Sequence, residues 1–313
     1  MQFLFIIDPL DSLKAYKDTS VAMMRAAQAR GHAVWVCEQP SLHWLGGRVA
    51  AASQRISLAD NDEDWYRGHE TEPRLLADFD AVLMRKDPPF DLEYVVSTWL
   101  LSAAVREGAR VFNAPDAIRD HNEKLAIAEF ARFAAPTLVS REPERIQAFI
   151  DAERDIVVKR LDVMGGENVF RVRADDPNRN VIVETISQGG ARSVMAQRYI
   201  PEIVHGDKRV ILIDGEVVPH CLARIPKSGD SRGNLAQGAR GVAQPLSKRH
   251  KEIAAAVGAV VANRGLLVVG LDVIGDYLTE VNVTSPTCFR EIQDQTGFDV
   301  SGMFLDALER KTA

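Results

Sequence analysis

Cysteine is scarce: Cys37, Cys221 and Cys288 lie far apart and in no metal-ligand spacing. That excludes a disulfide scaffold and reads as the reduced thiols of a cytoplasmic protein. No apolar run approaches the ~18 residues of a membrane span. The chain opens directly into a strand-like run, Phe3-Leu-Phe-Ile-Ile7, without a basic segment or cleavage signal, so no secretory leader is expected. Positive charge is not in excess. Lys and Arg number 38 against 44 Asp and Glu, a net charge of −6. This argues against a nucleic-acid or anionic-membrane partner. No G-x-G-x-x-G follows the first strand and no G-x-x-x-x-G-K-[ST] occurs anywhere, so neither a Rossmann dinucleotide site nor a P-loop is expected. Internal repeats, a low-complexity tail and an activated Ser or Cys constellation are all missing.

What is present is ordinary in bulk. The 313 residues are 46% hydrophobic and 26% charged, as in a soluble protein with room for two or more domains. Residues 3–7, a helix at Val21–Arg30 capped by Ser20, and a strand at Ala33–Cys37 make a strand–helix–strand unit of the parallel-sheet kind. Residues 41–78 give no clear pattern. A strand at Ala81–Met84 runs into Arg85-Lys-Asp-Pro-Pro-Phe-Asp91. A charged cluster stiffened by prolines at a buried strand's end suits either a ligand site or a rigid turn. The first boundary falls near 114–121. Beyond it, Asp155-Ile-Val-Val-Lys159 leads into a loop with Gly165-Gly166, where backbone amides can approach an anion.

Two hairpins carry most of the chemistry. In the first, Lys208–Ile213 and Glu216–Ile225 flank Asp214-Gly215, a two-residue turn signal. That register sets Arg209 opposite His220 with Arg224 on the same face. Guanidinium forks there suit phosphate or carboxylate. In the second, Gly275-Asp276 joins two apolar runs bearing Asp272, Glu280 and Asn282. A two-residue loop pairs Asp272 with Thr279 and separates it from the other two. A three-residue loop pairs Asp272 with Leu278 and Glu280 with Gly270, and all three converge. The odd-length loop is expected, because two carboxylates on an apolar face are costly unless a cation joins them. Few all-oxygen protein ligands suit Mg²⁺ that also holds phosphates. Between the hairpins, residues 226–241 form a Gly-rich basic loop, expected to be a mobile lid over an anionic substrate. A closing helix spans Phe298–Lys311.

Several stretches together resemble the bacterial glutathione synthetase family, in the same order along essentially the whole chain. They are Met-Arg-Lys-Asp-Pro-Pro-Phe-Asp (84–91), Asn-Glu-Lys-Leu (122–125), Val-Lys-Arg-Leu-Asp-Val-Met-Gly-Gly (158–166), Gly-Asp-Lys-Arg-Val (206–210), Cys-Leu-Ala-Arg-Ile-Pro (221–226), Arg-Gly-Asn-Leu-Ala (232–236) and the 270–288 hairpin. The third departs from the commoner Lys-Pro-Leu-Asp-Gly-Met-Gly-Gly at Arg160 and Val163.

The resemblance implies a mixed α/β chain of ATP-grasp fold. It would have an N-terminal parallel α/β domain (1–121), a small lid domain (122–200) and a C-terminal antiparallel-sheet domain (201–313). It implies ATP-dependent ligation of γ-glutamylcysteine with glycine in a homo-oligomer, a tetramer by resemblance. Lys124, Lys159, Gly165 and Gly166 would contact ATP, Gln197, Arg198, Tyr199 and Ile200 would line the adenine pocket, and Asp207 would lie near the ribose. Asp272, Glu280 and Asn282 would hold Mg²⁺ or Mn²⁺. Arg209, Arg224 and Arg232 would bind phosphates and substrate carboxylates. Arg85, Asp87, Ser285, Pro286 and Thr287 would touch the peptide. A D-alanine–D-alanine ligase, a glutamate ligase and a non-catalytic nucleotide-binding regulator are the rival readings.

Overall fold

The computed structural model describes residues 1–163, 168–227, 233, 235 and 238–313. Among them the strands form three sheets. The first contains β1 (Gln2–Ile7), β2 (Ala33–Glu38), β3 (His43–Leu45), β4 (Arg48–Leu58), β5 (Tyr66–Leu75), β6 (Ala81–Met84) and β7 (Val111–Phe112). Its β2-β1-β6-β7 core is parallel, as a strand–helix–strand chain requires. The unread 41–78 stretch supplies β3, β4 and β5, which add antiparallel to one side. The sheet is therefore mixed rather than wholly parallel. β5 is exposed along most of its length, which removes the apolar alternation that marks a strand in sequence.

Helices α1 (Thr19–Ala29), α2 (Leu92–Arg106) and α3 (Pro115–Asp120) accompany this sheet. The cap of α1 is Asp18, whose Oδ1 accepts the Val21 amide at 3.0 Å, not Ser20 as expected. Ser20 is inside the first turn and its hydroxyl is spent on Arg85.

The second sheet is antiparallel, in the order β10-β9-β11-β8: β8 (Thr137–Ser140), β9 (Asp155–Arg160), β10 (Val169–Arg173) and β11 (Val194–Arg198). Helices α4 (Pro143–Glu153) and α5 (Arg179–Ser187) cover it over a small core of Ile146, Ile150, Val158 and Val183. The third sheet is also antiparallel, in the order β14-β13-β12-β15-β16: β12 (Asp207–Ile213), β13 (Glu216–Ile225), β14 (Arg240–Pro245), β15 (Val268–Ile274) and β16 (Tyr277–Asn282). Helices α6 (Lys248–Asn263), α7 (Phe289–Thr296) and α8 (Val300–Thr312) complete the chain. Apolar side chains pack on both faces of this sheet: Val210, Leu271 and Val281 join one core, Ile211, Val218 and Leu222 the other. Burial on both faces is why the few polar side chains in its strands stand out.

Candidate active site

Two β-bulges decide which side chains meet. The β15–β16 turn has two residues, with Ile274 opposite Tyr277 and Val273 opposite Leu278. The three-residue loop expected from sequence is not formed. Instead the register shifts at Thr279, whose hydroxyl donates to the Asp272 carbonyl at 3.0 Å, and Asp272 lies opposite Glu280 with Asn282 opposite Gly270. An extra residue on one strand turns the following side chains over. Asp272, Glu280 and Asn282 therefore share a face, as anticipated, but through a bulge rather than an odd loop.

The second bulge lies between β12 and β13. Asp214-Gly215 forms the expected two-residue turn, both residues at positive φ. The pairing then slips, and Arg209 lies opposite Leu222, not His220. Pro219, inside the slipped segment, has no amide hydrogen to give to the ladder. The slip preserves parity, so Arg209 and Arg224 remain on one face.

These registers set Arg209, Asp272 and Glu280 side by side across β12, β15 and β16. Arg209 Nε donates to Asp272 Oδ1 at 2.7 Å. Arg224 Nη2 reaches Asp272 Oδ2 at 2.9 Å and Asp207 Oδ2 at 2.5 Å. Burial works to raise the Asp272 pKa, but the two guanidiniums outweigh it and hold the carboxyl far below the usual range. Asp207 feels the opposite balance: burial prevails over Arg224 and pushes it up to about 7. Gly270 leaves room for this arrangement. A Cβ there would lie 2.9 Å from Pro286 Cβ and 3.1 Å from Arg209 Cδ.

Across the cleft, the second sheet contributes Lys159 from β9. Its ammonium lies 3.3 Å from Glu280 Oε1 and 3.4 Å from the Thr279 carbonyl. Lys124 lies 3.9 Å from the same Oε1 and donates to the Val163 carbonyl at 2.6 Å. Burial opposes ionisation of Glu280, yet the two lysines keep its pKa low. Asn122 Oδ1 accepts the Lys124 and Leu125 amides, and Glu123 Oε1 accepts the Val283 and Thr284 amides and the Thr284 hydroxyl. Sequence reading left Glu123 without a role. Its place between Asn122 and Lys124 is the one available signal.

A cavity of about 740 Å³ opens here. Its lining includes Gln197, Arg198, Tyr199 and Ile200, Asp87, Ser285, Pro286 and Thr287, and Lys124, Lys159, Asp207, Arg209, Arg224 and the Asp272–Glu280–Asn282 face. Gln197 is buried and donates to Thr137 Oγ1 at 2.9 Å. The Arg171 guanidinium lies 3.5 Å from the centroid of the Tyr199 ring. Arg85 is buried and outside the lining. It holds Ser20 Oγ at 3.1 Å and the Pro286 carbonyl at 2.9 Å, a brace behind the 285–287 stretch. Asp87 accepts the Ser285 hydroxyl. Arg232, Gly165 and Gly166, and most of the expected lid at 226–241, lie outside the described residues.

The donor set fits a hard divalent cation. Glu280 meets both lysines through Oε1, and its Oε2 has no hydrogen bond among the described residues. Asn282 donates Nδ2 to the Gly270 carbonyl at 3.1 Å, which leaves Oδ1 as an acceptor. No group of three or more His, Cys, Asp or Glu suited to a metal occurs among the described residues. Two carboxylates and an amide oxygen match an ion that draws its other ligands from phosphates and water. The thiols play no part in this: all three are buried, and burial pushes Cys288, which borders the cavity, up to about 11.

The chain is similar to known proteins over essentially its whole length. Residues 1–119 match the N-terminal domain of prokaryotic glutathione synthetase and residues 123–297 match its ATP-grasp domain. Glutathione synthetase of Ralstonia nicotianae is 57% identical over 310 residues, covering 99% of this chain and 96% of the relative. That of Neisseria meningitidis serogroup A is 51% identical over 312 residues, with 98% of each chain covered. Among solved structures, D-cycloserine synthetase DcsG aligns at a TM-score of 0.70 and 17% identity, covering 99% of this chain and 100% of that one. The ATP-grasp ligase PsnB, complexed with a minimal precursor, Mg and ADP, aligns at 0.62 and 18%, covering 99% and 98%. At such identities these two speak for the fold alone. Matched in sequence over essentially its whole length, and with Lys159 of the second sheet and Lys124 meeting the oxygen-bearing hairpin of the third, the chain belongs to the prokaryotic glutathione synthetase family of ATP-dependent ligases.

Proposed function

We infer that the chain joins γ-glutamylcysteine to glycine, with conversion of ATP to ADP and phosphate. The observation that carries the reading is the single face of Asp272, Glu280 and Asn282 opposite Lys124 and Lys159, in a chain that matches its family over its whole length.

The chemistry needs no protein nucleophile. A carboxylate oxygen of γ-glutamylcysteine attacks the γ-phosphorus, ADP departs, and an acyl phosphate remains. The glycine nitrogen attacks the acyl carbon, the bond to the bridging oxygen breaks, and phosphate leaves with the electron pair while the amine sheds its protons. The residues act by position and charge. Gln197 to Ile200 border the nucleotide end. Lys124 and Lys159 face the phosphates. Arg209 and Arg224 face the negative charge that grows at the phosphoryl and acyl oxygens, and Asp207 holds Arg224 in place. Asp272, Glu280 and Asn282 would hold Mg²⁺ or Mn²⁺, which when bound neutralises phosphate charge. Asp87 and Ser285–Thr287, braced by Arg85, border the peptide. A water-excluding cover suits an acyl phosphate, which hydrolyses readily.

Phosphate release from ATP and Mg²⁺ tests the reading. Release that requires γ-glutamylcysteine and glycine together, with glutathione formed, is expected. Release only with D-alanine or glutamate in their place would keep the ligase chemistry and discard the substrate. Nucleotide binding without release for any pair would favour a regulator, although none of Asp272, Glu280 and Asn282 is lost.

A further inference from the structure

The cavity contains one carboxylate that nothing so far has used. Glu291 lies in the first turn of α7 and lines the same cavity. The other acidic side chains on the lining are engaged. Asp8 pairs with Lys86 at 2.8 Å, Asp18 caps α1, Asp87 takes the Ser285 hydroxyl, and Glu123 has three donors. Those at the nucleotide end face arginine or lysine. Glu291 Oε2 is shut off from solvent and has no hydrogen-bond partner among the described residues. An ionised carboxylate held this way is costly unless something arrives to pair with it.

The surroundings point to what arrives. Lys14 and Lys17, just before α1, also line the cavity and make no ion pair among the described residues. Burial makes the charged form of Glu291 costly, and Lys17 and Arg209 are near enough to offset part of that cost. The two walls are pinned together: Arg290 donates to the Ala15 carbonyl at 2.9 Å, and the Phe289 amide to Thr19 Oγ1 at 3.3 Å. A carboxylate oxygen without a hydrogen bond and two lysines without an ion pair among the described residues, on the lining of one cavity, suit a zwitterion.

We propose that Glu291 binds the ammonium group of an amino-acid substrate, with Lys17 facing that substrate's carboxylate. Both substrates of the proposed reaction carry such a head: the α-ammonium of the γ-glutamyl residue and the ammonium of glycine. The inference rests on the proposed ligase reaction. Glu291 selects and positions; it is not asked to take a proton.

Initial rates with γ-glutamylcysteine and glycine varied in turn, for wild type, Glu291→Gln and Lys17→Met, test it. A charge-assisted hydrogen bond is lost in Glu291→Gln. One substrate's KM should therefore rise about tenfold or more, while kcat and the KM for ATP stay within about threefold. Lys17→Met should raise the same KM. Glutarylcysteine, which lacks the α-ammonium, separates the two sources. If the γ-glutamyl head is the ligand, wild type discriminates against glutarylcysteine and Glu291→Gln loses that discrimination. If glycine is the ligand, the discrimination survives and the glycine KM rises. Glu291→Gln should melt close to wild type, since burial opposes the charge it removes. Wild-type turnover with both KM values unchanged in Glu291→Gln and Lys17→Met overturns the proposal alone. Absence of wild-type turnover overturns the substrate reading and the proposal with it.

Discussion

Glu280 joins two sheets: its Oε1 meets Lys159 of β9 and Lys124, and its strand carries the shared oxygen face. Replacing it with alanine removes a proposed cation ligand and leaves two largely buried ammonium groups with only carbonyl partners among the described residues, Thr279 and Val163. Glu280→Ala should lower kcat/KM by about a hundredfold or more. It should cost roughly 1–3 kcal/mol of stability, leaving a folded protein. Turnover and urea denaturation measure the two effects; normal turnover by the folded variant would defeat the assignment. The place of this residue on a face with Asp272 and Asn282 was legible in the sequence, because carboxylates in apolar strands are costly unless they meet a partner. The Asp207–Arg224 pair, the Arg85 brace and the unpaired state of Glu291 were not, because each depends on which distant segment lies opposite.

The β15–β16 hairpin shows what a sequence can and cannot settle about an element. Apolar runs around Gly275-Asp276 marked the hairpin, and the cost of stranded carboxylates marked the convergence. The device was hidden, since a bulge at Thr279 leaves no compositional trace. The β12–β13 slip had a visible cause in Pro219, but its size depends on neighbouring strands. β3 and β5 escaped notice because exposed strands carry no apolar alternation, and β4 because its buried positions include the small Ala51 and polar Ser53. Gly270 is the hinge of the packing argument: it sits in β15, with Arg209 and Pro286 where a side chain would stand. Gly270→Ala should displace Arg209 from Asp272, lower turnover several-fold, and cost roughly 1–3 kcal/mol. An unchanged denaturation midpoint together with wild-type turnover would count against the close approach.

At the scale of the whole molecule, the first sheet's helices are tied to the C-terminal helices by charge as well as packing. Asp62 receives Arg25 of α1 at 2.8 Å and Arg290 of α7 at 2.9 Å. Hydrogen bonds from Arg290 and Arg25 lower its pKa from the usual 3.8. A carboxyl whose pKa is depressed on folding adds stability above its unfolded pKa, and that stability is lost as pH falls through the folded value. Solvent screening limits the effect to about 1 kcal/mol or less. Asp62→Asn should therefore melt slightly below wild type at pH 7, and the difference should vanish in acid, below the folded pKa. A deficit that persists there would mean that Asp62 acts through packing instead. Outside 41–78, many elements were readable from periodicity and turn residues, whereas the mutual placement of the sheets rests on long-range pairing.

The account's central claim is that the Asp272–Glu280–Asn282 face binds a divalent cation together with the nucleotide. Mn²⁺ titration followed by electron paramagnetic resonance, with ADP present and absent, reads this without turnover. Wild type should bind Mn²⁺ with ADP present, and Glu280→Ala should bind it about tenfold or more weakly at unchanged fold. Equal Mn²⁺ affinity in the two proteins would contradict the claim.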